Sequence, residues 1–109
     1  MSDVSVSMEN GALVARIRGE IDHHAAKAVR EKIDAELFGR RPEVLVLDFS
    51  GVPFMDSSGI GLVIGRAAKA ESIGGGVRLS GLSDSLMRVV RLSGLEKIKN
   101  LTIECCGVR

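Results

Sequence analysis

The sequence predicts an α/β protein built on a single mixed β-sheet, with elements in the order β-β-α-β-α-β-α-β. Three observations carry that expectation. Two short stretches of strand character flank Asn10-Gly11, a pair that favours a tight hairpin turn. Beyond them, apolar runs of strand length alternate with three stretches in which apolar residues recur every three or four positions. Strands separated by helices pair in parallel through right-handed crossovers, so only the first strand is expected to run antiparallel.

In chain order, Val4, Val6 and Met8 alternate with Ser5, Ser7 and Glu9, the period of a half-buried strand. The segment from Leu13 to Arg18 is the second strand, stopping at Gly19. Asp22 is placed to cap a helix in which Ala25, Val29, Ile33 and Leu37 form one apolar stripe. Phe38-Gly39 is expected to end that helix, since Pro42 forbids its continuation. The apolar run from Val44 to Phe49 reads as a central strand covered on both faces. A second helix is expected from Ser57 to about Ser72, broken by Gly74-Gly75-Gly76. After the short strand Val77–Ser80, a third stripe (Leu82, Leu86, Val89, Val90) is capped by Ser83 or Asp84 and closed at Ser93-Gly94. The last strand is expected over 98–103.

The composition narrows what such a fold is used for. Its 109 residues suit one domain, taken as residues 3–109, and suffice for a core without disulfides or metal. Apolar residues make up 45% and aromatic ones 3%, with no Trp or Tyr, so the core must be aliphatic. A net charge of +1 with no basic cluster and no aromatic platforms argues against a nucleic-acid partner. The two cysteines, Cys105 and Cys106, are neighbours, which suits neither a disulfide nor a zinc site; they read as small, partly buried thiols in a reducing compartment. No apolar run approaches the ~20 residues of a membrane span, and no leader pattern opens the chain, so a cytoplasmic protein without a membrane partner is expected.

One stretch draws the chemistry together. Phe54 to Gly65, FMDSSGIGLVIG, sets an Asp-Ser-Ser step before a helical pattern, where backbone N–H groups lack partners. Three roles are open for it: a plain cap, a nucleotide-binding turn, or a regulated serine. Against the nucleotide turn, Gly59 falls inside the helix rather than directly after the strand. Against a hydrolase built from Ser57 or Ser58 with His23 or His24, DSSGIG lacks the strained elbow of GxSxG. Neighbouring histidines at a helix start point apart and make poor metal ligands; one packed and one solvated is the simpler expectation. The regulated serine needs least: a phosphate adds about −1.5 to −2 charges at a helix end that tolerates them. Parallel pairing of the second, third and fourth strands would gather Asp22-His23-His24, Asp56-Ser57-Ser58 and Ser80-Gly81-Leu82 at one sheet edge.

VLDFSGVPFMDSSGIGLVIGR followed by GGGVRLSGLSDSLMRVVRLSGLEKI closely resembles the STAS domain of anti-sigma factor antagonists, and GEIDHHAA (19–26) favours the sporulation subtype over the general-stress one. The resemblance covers about Val4 to Ile103; ECCGVR at the C-terminus matches no motif of the family. It implies a STAS fold with three packed helices, and a partner-switching protein that is not an enzyme and holds no cofactor. Its unphosphorylated form would bind an anti-sigma factor that is also a GHKL-type serine kinase, freeing a sigma-F type factor. The kinase would inactivate it by phosphorylating Ser57, and a serine phosphatase would restore it. Ser58 would be a cap. Glu20, Asp22, His23, Asp56, Ser58, Gly59, Ile60 and Gly61 would form the partner face of a protein that is monomeric when free. The alternatives are a stress-response switch or a STAS module that binds a small ligand or nucleotide.

Overall fold

The computed structural model describes residues 3–104, so Cys105 and Cys106 lie outside the described residues. Its elements are β1 (Asp3–Glu9), β2 (Ala12–Arg18), α1 (His23–Arg40), β3 (Val44–Gly51), α2 (Ser57–Ser72), β4 (Gly76–Ser80), α3 (Asp84–Ser93), a 3-10 turn at Leu95–Lys97, and β5 (Leu101–Ile103). They form one five-stranded sheet in the order β1-β2-β3-β4-β5. β1 is antiparallel to β2, and the other pairs are parallel. Asn10 and Gly11 close the hairpin with φ of 53° and 83°, the left-handed pair that matches strand twist.

The strand order never reverses, so successive right-handed crossovers lay every helix on the same face. Leu13, Ala15 and Ile17 of β2, Leu45, Leu47 and Phe49 of β3, and Val77 and Leu79 of β4 point to that face. There they meet Val29, Ile33 and Leu37 of α1, Leu62, Val63, Ala67 and Ala70 of α2, and Leu86 and Val90 of α3 in one aliphatic core. The opposite face is open: Arg16, Asp48 and Arg78 stand on it, and Val44 and Val46 are only partly covered. This corrects the expectation of a β3 covered on both faces. Its unbroken apolar run looks doubly buried because Val44 and Val46 tolerate half-exposure.

Two boundaries also shift. α1 runs past Gly39 to Arg40 and is ended by Arg41 in the left-handed region (φ 48°), whose N–H reaches Leu37 O. Gly39 takes no positive φ, so the helix runs through it and the expected stop falls just short of the observed one. Helix α2 spans the expected residues, and Ser83 rather than Asp84 caps α3, accepting from the Leu86 N–H at 3.2 Å. β5 is only Leu101–Ile103, because the chain ahead of it turns through the 3-10 segment and the Leu101 N–H to Ile98 O bond.

Candidate functional site

The site forms where β2 and β3 end. Their ladder slips between Arg16 and Arg18, with Arg18 opposite Gly51. Gly51 lets the two strands approach closely here: a Cβ would stand 2.7 Å from Arg18 Cγ and 3.2 Å from Ile17 O. Pairing then resumes as an isolated parallel bridge between Ile21 and Met55. The Ile21 N–H donates to Phe54 O at 3.1 Å, and the Asp56 N–H donates to Ile21 O at 3.3 Å. Both bridge residues are buried, so the link is anchored in the core. Its consequence is local geometry: Asp22 and Asp56, the next residue on each side, cap α1 and α2 at adjacent points of one edge.

Each cap works through its carboxylate. Asp22 Oδ1 accepts from the Ala25 N–H at 2.9 Å, and Asp56 Oδ1 accepts from the Ser58 N–H at 2.7 Å. The Ala25 bond holds the Asp22 carboxyl below its ordinary pKa, with His24 adding a smaller electrostatic pull. Asp56, not Ser58, is thus the cap of α2. Ser57 occupies the first helical position and is exposed, leaving its hydroxyl open to solvent.

The other expected residues divide. Glu20, Asp22 and His23 are exposed beside the α1 start, and Gly61 is exposed on α2. Ser58 and Ile60 are half-buried. Gly59 is buried; a Cβ there would meet Met55 Sδ at 2.7 Å and Met55 Cβ at 2.9 Å. Its place is to let α2 sit on the bridge, so it offers a partner no side of its own. Neither histidine packs in the core; they are both exposed, their rings edge to face with centroids 6.1 Å apart. The third loop joins elsewhere: Gly81 (φ 70°) packs against Ser50 and Asp48, and Leu82 is buried. It flanks β3 rather than the Asp22–Asp56 junction.

Two residues at this edge escaped the sequence reading. Phe54 is 58% exposed immediately ahead of the bridge, and Ile64 is 47% exposed one helical turn beyond Ile60. The signal for Phe54 was its rarity, one of three aromatic residues in the chain, set in a loop. With Ser57, Ile60 and Gly61, Ile64 completes one face of α2 at i, i+3, i+4 and i+7.

As for chemistry, no hydrogen bond joins either histidine to Ser57 or Ser58 among the described residues. A sheet order without reversal also lacks the crevice in which α/β proteins cradle dinucleotides. Among the described residues no cluster of His, Cys, Asp or Glu fits a metal ion, and no helix is long and apolar enough to cross a membrane. What the edge offers is a surface: an accessible hydroxyl beside the Asp56 cap, with the Asp22 cap of α1 joined to it through the Ile21–Met55 bridge, and exposed apolar side chains nearby.

The STAS domain family matches residues 3–104. An anti-sigma F factor antagonist of Lysinibacillus sphaericus is 40% identical over 83 residues, covering 76% of this chain and 71% of that protein. Among solved structures, the anti-sigma factor antagonist SpoIIAA in its unphosphorylated form superposes with a TM-score of 0.72 at 28% identity, covering 96% of this chain and 90% of that one. The Bacillus cell fate determinant SpoIIAA in the phosphorylated form gives 0.70 at 31% identity, covering 95% and 93%. The chain belongs to the STAS-domain family, among the anti-sigma factor antagonists. The five-stranded mixed sheet with three helices is the fold it shares with SpoIIAA.

Proposed function

We propose that this protein is a partner switch of the sporulation type: unphosphorylated, it binds an anti-sigma factor that is a GHKL-type serine kinase, and it is inactivated by phosphorylation on Ser57. The observation that carries the proposal is Ser57 itself, an exposed hydroxyl at the first position of α2 beside the Asp56 cap. In support, a relative is an anti-sigma F factor antagonist, and SpoIIAA, which shares the fold, exists in phosphorylated and unphosphorylated forms.

The proposed chemistry is simple on this side. The Ser57 Oγ attacks the γ-phosphorus of ATP held by the kinase, the bond to the β-phosphate oxygen breaks, ADP leaves, and the hydroxyl proton passes to the kinase or to water. The chain contributes presentation, not catalysis. Docking rests on Glu20, Asp22, His23, Asp56, Ser58, Ile60 and Gly61, with Gly59 as the spacer beneath and Phe54 as an apolar anchor. A phosphate added beside Asp56 and Asp22 turns that face strongly anionic, while the helix N-terminus stabilises the charge, so the partner is expelled without refolding. A serine phosphatase resets the switch by hydrolysis. The protein acts in the cytoplasm, as a monomer when free.

Incubation with the cognate kinase and ATP tests this directly. One phosphate per chain is expected by intact mass, and none on Ser57→Ala. Phosphate on Ser57→Ala would move the site to Ser58. Ser57→Asp is expected to bind the kinase about tenfold or more weakly; undiminished binding would reject expulsion by charge. A stress-type partner would show instead as phosphorylation by a stress-pathway kinase in preference to the sporulation one.

A further inference from the structure

A second feature lies beside the switch. α1 and α2 pack side by side with an open groove of about 760 Å³ between them, its mouth lined by His23 and Ser58. Four cations stand along it: Lys27 and Arg30 from α1, Arg66 and Lys69 from α2. The one acidic lining residue is Asp34. The rest of the chain has nearly balanced charge, so this concentration is local.

Two observations inside the groove lack an internal explanation. Arg66 is 2% exposed; its Nε lies 2.8 Å from Asp34 Oδ1 but out of line for a hydrogen bond, and its Nη1 has no hydrogen-bond partner among the described residues. A buried guanidinium left partly unpaired is costly. Burial pushes its pKa down, with Arg30 adding to the effect and Asp34 opposing it. The second observation concerns Gly61 and Gly65. Both are helical with ordinary φ, and a Cβ at either would meet nothing within 4 Å. Neither packing nor backbone conformation asks for glycine, although each costs α2 up to ~1 kcal/mol against alanine. Both line the groove, where a missing side chain leaves room for a backbone.

We infer that the α1–α2 groove is a docking channel for an extended acidic segment of a partner polypeptide. Shape selects this occupant over a compact anion. From Ser58 to Lys69 the groove follows about 16 Å of helix, at ~1.5 Å per residue, which matches about five residues of extended chain at ~3.3 Å each. Cations spread along both walls suit charges spaced along a chain. Gly61 and Gly65 leave room for the chain along α2, the exposed Lys27, Arg30 and Lys69 meet its carboxylates, and the partly paired Arg66 beneath adds to the positive field. The channel stands independently of Ser57.

The test is fluorescence anisotropy with fluorescein-labelled hexaglutamate at low ionic strength. Saturable one-to-one binding is expected, weakened about tenfold or more by Arg30→Glu and equally by Gly65→Leu, which fills the channel with a good helix former. Thermal melting of Gly65→Leu should be unchanged or raised, separating loss of binding from loss of fold. Arg88→Glu, the same charge change on α3, and Ser57→Ala should both bind as the natural chain does. Absent saturation, or an equal loss in Arg88→Glu, would overturn the channel. Displacement of the peptide by tripolyphosphate at equal or lower concentration would overturn it in favour of a small-anion site, and tighter binding of a single-stranded oligonucleotide in favour of nucleic acid.

Discussion

Gly59 and Gly61 stand two positions apart on α2, yet only one of them is required by its neighbours. Gly59 lies against Met55, whose Cβ would stand 2.9 Å from an added Cβ, close to backbone that cannot swing away. Gly59→Ala is therefore expected to destabilise by about 1–3 kcal/mol through overpacking, whereas Gly61→Ala should stabilise by up to about 1 kcal/mol. Urea denaturation of the two variants checks both, and equal effects would remove the Met55 contact as the cause. Asp56 admits a similar separation of cap from charge. Asp56→Ala should cost about 0.5–2 kcal/mol as a lost cap, and Asp56→Asn far less, since an amide oxygen can still accept from Ser58. At this scale the Asp22 cap was legible in the sequence, whereas Gly59 was read as part of the partner face although its contact is with Met55. An Asp before a helical stripe declares a cap locally, but the need for glycine arises from a methionine placed by a bridge to Ile21.

Among the elements, the β1–β2 hairpin and the α1 cap set the behaviour in acid. The Glu9 carboxyl is held at about 2 by hydrogen bonds from Arg16 and Ser7, and Asp22 is lowered by the Ala25 N–H. Carboxyls with lowered native values bind fewer protons folded than unfolded, so they contribute stability above the ordinary carboxylate range. That contribution should disappear as pH falls from about 4 toward 2. The urea midpoint is expected to drop over that window, and to drop less in Glu9→Gln combined with Asp22→Asn. Both groups are exposed, so the difference should be small. Element order and most helix bounds were readable from periodicity, because the apolar stripes of α1 and α3 repeat at helical spacing. The sheet's open face was not, since a half-exposed valine and a buried one are the same letter. The shared edge was only partly readable: parallel pairing implied that strand ends gather, but the bulge at Gly51 decided which loops meet. That bulge joins Asp22 to Asp56 and leaves Ser80-Gly81 beside Asp48 and Ser50.

For the whole molecule, the proposed phosphorylation site lies at the rim of the sheet and not in its core. Phosphorylation at Ser57 touches an exposed helix start, so the modified protein should melt within a few degrees of the unmodified one, a difference of about 1 kcal/mol or less. Partner affinity should fall far more. Calorimetry of the two forms, beside a binding titration, checks the contrast; a phosphorylated form that loses its cooperative transition would mean that the fold itself is the switch.

The unreversed strand order also bears on how the chain comes into being. Each strand hydrogen-bonds to the one made just before it, so the sheet can grow in the direction of synthesis without waiting for a distant segment. The Ile21–Met55 bridge, which joins the two caps, needs nothing from β5. Pulse-labelled exchange during refolding should protect the amides of Ile21 and Asp56 no later than those of Leu101 to Ile103. Later protection at the bridge would show that the far edge of the sheet is its template. In the expected order, a nascent chain holds Ser57 at the start of α2 in its folded geometry before the last strand has docked.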